Sequence, residues 1–93
     1  MKIYFEKTDG SNMVIITDGE TAKVFDAAPS GIYEGIDLYA SGAAELLKNH
    51  FQQLEKDGEL NDFDDIYSPN EMPAEGLKEE IESYAVLIFD TEN

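Results

Sequence analysis

Hydrophobic and polar positions alternate through the first third of the chain. Ile3 to Glu6, Met13 to Thr17 and Ala22 to Asp26 are short runs rich in β-branched and aromatic residues. Thr8 to Asn12 and Asp18-Gly19-Glu20 separate them, and Asp-Gly between such runs is a hairpin signal, because both residues tolerate the backbone of a tight turn. The pattern predicts a β-meander of three antiparallel strands. Ile3, Phe5, Val14, Ile16 and Val24 would line one face, with Tyr4, Met13, Ile15 and Phe25 on the other.

The next stretch, residues 28 to 40, carries Pro29, Gly31 and Gly35 and reads as a loop, with Ile36, Leu38 and Ala40 alternating like a short edge strand. Tyr33 and Tyr39 are candidate contact anchors there. The period then changes. Leu47, His50, Phe51 and Leu54 fall at helical spacing, so a helix is predicted from Gly42 to about Lys56, with Ser41 as its N-cap and Asp57-Gly58 as its stop. His50 at the edge of that stripe is read as a core-border side chain.

Beyond it, Phe63, Ile66 and Tyr67 predict a short helix or turn that pins an otherwise polar segment to the body. Pro69 and Pro73 bracket a loop. A second helix from Ala74 would turn Leu77, Ile81 and Tyr84 inward, and 100° per residue would put Glu75, Glu79 and Glu82 within about 40° of one another on the opposite side. The apolar run from Tyr84 to Phe89 reads as an interior strand of the same sheet. The expectation is a single α+β domain over residues 1–93. Its three- to four-stranded, antiparallel-rich sheet is an N-terminal meander plus a C-terminal strand, with two or three helices packed on one face.

Charge changes this picture most. Twenty-one acids face six lysines and no arginine in 93 residues, a net charge of -15. The acids are unevenly placed: residues 1–54 hold eight against four lysines, whereas residues 55–93 hold thirteen against Lys56 and Lys78. A field of this sign repels nucleic acid and anionic membranes and attracts basic surfaces. The apolar residues spaced through the acidic part mark it as folded rather than as a disordered tail.

Candidate chemistry is thin. There is no cysteine, hence no disulfide, no thiolate nucleophile and no cysteine zinc site. The lone His50 belongs to a core stripe, and no glycine-rich phosphate loop is present, so neither an enzyme nor a cofactor is expected. Asp62, Asp64 and Asp65 resemble part of an EF-hand loop, but glycine at the sixth position and glutamate at the twelfth are missing. No metal site is expected. The opening Met-Lys-Ile-Tyr-Phe-Glu-Lys is charged too early for a signal peptide, and no apolar run approaches membrane-spanning length. A cytoplasmic protein without membrane contact is the expectation.

What remains is a surface of carboxylates. Their density in Glu55 to Asp65, followed by Glu71, Glu75, Glu79, Glu80 and Glu82, resembles the small acidic proteins of phages and mobile elements that mimic DNA, among them anti-CRISPR inhibitors of Cas nucleases. The resemblance is one of class and covers the C-terminal 40 residues. It implies a non-catalytic inhibitor that binds the basic nucleic-acid groove of a partner protein, such as a Cas nuclease, without touching nucleic acid itself. Glu59, Asp62, Asp64, Asp65, Glu75, Glu79 and Glu82 are the candidate partner-binding residues. The alternatives are an acidic protein-interaction domain, dimeric through a sheet edge or through Tyr33 and Tyr39, and a weak divalent-cation module.

Overall fold

The computed structural model describes residues 1–8, 11–26 and 31–92. Strands β1 (Lys2–Thr8), β2 (Ser11–Thr17) and β3 (Thr21–Asp26) form the predicted meander. Two further strands, β6 (Asn70–Pro73) and β7 (Ala85–Asp90), extend it to a five-stranded antiparallel sheet of order β6-β3-β2-β1-β7. A separate two-stranded hairpin joins β4 (Ile32–Tyr33) to β5 (Ile36–Asp37). The helices are α1 (Ala43–Lys56) and α2 (Lys78–Ser83), with 3-10 turns at Phe63–Asp65 and Ala74–Leu77. The architecture is α+β. The Asp9-Gly10 turn and Pro29 lie outside the described residues.

The β2–β3 turn fixes the register of the sheet. Asp18 Oδ1 accepts from the backbone N–H groups of Thr21 at 2.8 Å and Glu20 at 2.9 Å, and Gly19 takes φ +101°, which a Cβ would oppose. Those two donors, Thr21 first, hold the Asp18 carboxyl below its usual 3.8. Ile15 then faces Val24, Val14 faces Phe25, and Ile16 faces Lys23. The sequence expectation for β3 is therefore reversed: Val24 sits with Ile15 and Leu77, and Phe25 sits with Ile3 and Val14. Alternation alone leaves the phase of a strand free, and the turn sets it.

Apolar residues on both sheet faces call for cover on both. Helix α1 packs Ala43, Leu47 and Phe51 against Ile3, Phe5, Val14, Ile16 and Ile88. The turn at Ala74–Leu77 and α2 cover the other face, where Leu77 and Ile81 meet Ile15, Ala22, Val24 and Tyr4. The helices thus lie on opposite faces rather than on one. Burial of each face removes several large aliphatic side chains from water, at roughly 1.5–3 kcal/mol apiece.

Four local expectations are corrected. The stretch between the prolines is an edge strand, β6, because Pro73 at the open edge loses no ladder bond that the sheet needs and Met72 has a core to enter. Strand β7 pairs only with β1 among the described residues and is the opposite edge, not an interior strand. A bulge where its register shifts turns Ile88 into the core and leaves Val86 and Leu87 61% and 44% exposed. The N-cap of α1 is Gly42 without a side-chain bond, since a turn in which Ala43 N–H donates to Ala40 brings the chain in one residue later than Ser41. Residues 32–37 form their own hairpin rather than a strand of the main sheet.

Candidate acidic-aromatic cleft

Helix α1 ends as predicted, and its ending places the acidic segment. Gly58 takes φ +71°, Glu59 N–H donates to the Leu54 carbonyl at 2.8 Å, and Gly58 N–H donates to Glu55 at 3.1 Å. This paired closure of the helix turns the chain back across the sheet. Phe63 and Ile66 then pack against the α1-side core, as the short-turn reading anticipates, and Leu60 joins them, whereas Tyr67, the third residue of that reading, stays exposed.

Lys23 holds this segment from below. Its register opposite Ile16 aims it into the α1-side face, where only 4% of it is exposed. Lys23 Nζ donates to the carbonyl oxygens of Phe63 at 2.5 Å and Ile66 at 2.6 Å and lies 4.5 Å from the Phe63 ring centroid. A buried ammonium needs such partners, and here it finds two carbonyls and a ring face. Residues 63–66 are thereby tied to strand β3.

Between this segment, the end of β3, the β4–β5 hairpin and the C-terminal half of α1 lies a cleft of about 380 Å³. Its walls are Phe25, Tyr33, His50, Phe51 and Tyr67, with Leu54, Leu60 and Ile66 beneath. The rings brace one another. Phe25 meets Tyr33 edge-to-face at 4.9 Å, His50 stands perpendicular to Tyr33 at 6.4 Å, and His50 meets Phe51 at 5.2 Å. Tyr67 is 81% exposed and stands at the mouth.

Three carboxylates, Glu34, Glu59 and Asp65, line the same cleft with no lysine among its lining residues. Burial pushes the Tyr33 hydroxyl up to about 12, and the neighbouring Glu34 adds to the rise. Glu34 reaches its place at a conformational cost: it takes φ +48°, with Gly35 at φ +81°. Positive φ at both central residues is the signature of a type I′ hairpin turn, where Asn, Asp or Gly is usual. An aromatic wall with anionic groups around it attracts a cationic side chain by charge, and the ring faces add cation–π attraction once water is displaced.

The seven residues singled out in the sequence are all exposed, and the structure divides them. Glu59 and Asp65 belong to this cleft. Asp62 lies beside Asp18 and Glu92 at one end of the sheet. Glu75 and Glu82 line a second cleft, of about 550 Å³ on the α2 side, together with Asp18 and Glu92. Lys2 and Lys78 line that cleft too, so its charges partly cancel. Asp64 stands outside these clefts on the 63–65 turn, and Glu79 does so on α2. The expected common helical face of Glu75, Glu79 and Glu82 is not formed, because residues 74–77 wind as a 3-10 turn and α2 begins only at Lys78. Glu34 went unmarked in the sequence, although Glu-Gly between Ile-Tyr and Ile-Asp is a weak two-residue hairpin signal.

Among the described residues, no group of three His, Asp or Glu side chains is placed to hold a metal ion. No described helix is long and apolar enough to cross a membrane. No protein-family model, no curated protein and no solved structure matches this chain.

Proposed function

We propose that the protein is a non-catalytic inhibitor that seats its acidic segment in the basic nucleic-acid groove of a partner protein. The partner class that the resemblance implies is a Cas nuclease. The observation that carries this reading is the cleft itself: three carboxylates and an aromatic wall, free of lysine, on a segment pinned by Lys23. A lysine or arginine of the groove enters the cleft, pairs with Glu59, Asp65 or Glu34, and lies against Tyr33 or Tyr67. Arginine suits it better, since a planar guanidinium stacks on rings and binds a carboxylate through two bonds. Asp62, Asp64, Glu75, Glu79 and Glu82 contribute mainly to the long-range field that steers the encounter.

The test is competitive. The immobilised protein is used to capture a partner from host lysate at low salt, and duplex DNA, single-stranded DNA or RNA is then added. Release of the partner by a polynucleotide, and a steep fall in affinity with salt, are the expected results. A captured partner that stays bound in the presence of excess polynucleotide would sink the reading.

A further inference from the structure

The acidic-aromatic cleft has the size of a small-molecule site. Its volume of about 380 Å³ falls inside the range of roughly 300–1,000 Å³ that such sites occupy, and its lining comes from β3, the β4–β5 hairpin, α1 and the segment after it. The α2-side cleft carries Lys2 and Lys78, and the groove between α1 and β7 carries Lys56, so each has cations of its own. No lysine lines this one.

The lining is sorted by chemistry and specifies a guest part by part. Leu54, Leu60 and Ile66 offer an apolar bed for a methylene chain, and the exposed carboxylates come from two separate elements, Glu34 from the hairpin tip and Glu59 and Asp65 from the segment after α1. Tyr67 stands uncovered at the mouth, and Tyr33 presents a second ring. Burial and Glu34 push the Tyr33 hydroxyl up to about 12, so at neutral pH that ring is an uncharged stacking face. The same segment already holds one cation on a ring, Lys23 against Phe63. A guanidinium is planar, weakly hydrated and has donors on more than one edge, whereas an ammonium is a strongly hydrated point charge. The head group that fits is therefore a guanidinium. One such head leaves two of the three carboxylates unmatched, so a second cationic group at the far end of the chain is favoured. A carboxylate at that end would add an anion to a body of net charge -15.

We infer that the cleft is a small-molecule site for an alkylguanidinium whose other end is an amine rather than a carboxylate, the class of a decarboxylated arginine. The inference rests on the proposed function only for the sign of charge that the cleft accepts, and it requires no partner protein. A compound seated there excludes a partner's arginine from the same place.

Nuclear magnetic resonance on the isolated protein at fixed pH and ionic strength tests this, with agmatine as the probe and arginine and putrescine as comparisons. Agmatine should shift the ring resonances of Tyr33, His50 and Tyr67 saturably and bind at least about tenfold tighter than either comparison. Glu59→Gln and Asp65→Asn, each at an exposed position, should weaken it at least about threefold with unchanged circular dichroism, and Glu79→Gln should not. Tyr67→Ala should cost agmatine more affinity than putrescine, since only the guanidinium stacks. Should a cleft variant lose its fold, the ranking of the three compounds on the wild type decides. Saturable, selective binding of agmatine supports the inference whether or not a polynucleotide releases a captured partner. Ring resonances unmoved up to ~10 mM agmatine, or arginine or putrescine bound as tightly as agmatine, overturn it even where a polynucleotide does release the partner.

Discussion

The Lys23 ammonium donates to the Phe63 carbonyl and lies 4.5 Å from the centre of the same residue's ring, tying a central-sheet neighbour to the acidic segment forty residues on. The contact makes one cation the support for many anions. Lys23→Met keeps the aliphatic stem in the core and removes both hydrogen bonds. Bonds of this charge-assisted kind are each worth about 1.5–3 kcal/mol, and the freed carbonyls recover part of that from water, so a loss of about 2 kcal/mol is expected. Urea unfolding measures it. Limited proteolysis within residues 57–69 should quicken more than global unfolding explains, and equal cleavage in both proteins would contradict the pinning role.

Glu34 occupies a backbone region that side chains with a Cβ enter at roughly 1–2 kcal/mol. Glu34→Gly should therefore raise the melting temperature while it removes one anion from the cleft. On the proposed function the two effects have opposite signs: a more stable fold and weaker binding to a basic partner. Such a pairing of strain with a functional group is what a site retained for binding would show. Thermal melts on Glu34→Gly and Glu34→Gln separate backbone from charge, since only the glycine relieves the strain. A glycine variant no more stable than wild type would remove the argument from strain.

Tyr33 gives a second view of the cleft. Its hydroxyl is pushed up to about 12 from 10.0, by burial first and by Glu34 second. Because the folded protein holds this proton more tightly than the unfolded chain, the contribution to stability is complete below pH 10. It is lost as pH rises from 10 toward 12. Ultraviolet titration of tyrosinate should show one of the five tyrosines ionising last. Glu34→Gln should lower that final step while leaving it above 10, as burial persists. A final step unmoved by the substitution would place Glu34 away from the ring.

Much of the fold was legible because its signals are local. The Asp18-Gly19 turn, the α1 stripe of Leu47, Phe51 and Leu54 and the Asp57-Gly58 stop each depend on neighbours in sequence, and each is where the pattern puts it. What escaped depends on partners distant in the chain. Nothing local marks Lys23 until its register opposite Ile16 is known, and β6 reads as a loop until Met72 has a core to enter. Val86 and Leu87 read as interior residues, since nothing in an apolar run tells an open edge from a covered one. The carboxylates were visible as a set, yet their division among clefts is a property of the tertiary fold. Glu79 and Glu59 look alike in the sequence and stand in different surroundings.

That division predicts unequal effects from equal changes of charge. Glu59→Gln, Asp65→Asn and Glu79→Gln each remove one negative charge from an exposed side chain. If a partner's arginine enters the cleft, Glu59→Gln and Asp65→Asn should each weaken binding by about tenfold, or about 1.4 kcal/mol, mostly through faster dissociation. Glu79→Gln, which alters only the general field, should change affinity less than threefold (about 0.6 kcal/mol) and act on the association rate. Surface plasmon resonance on the captured partner at two salt concentrations resolves the two cases, since steering fades with added salt and a desolvated pair does not. Three equal losses, all vanishing at high salt, would mean that net charge alone drives the association and that the aromatic cleft plays no part in it.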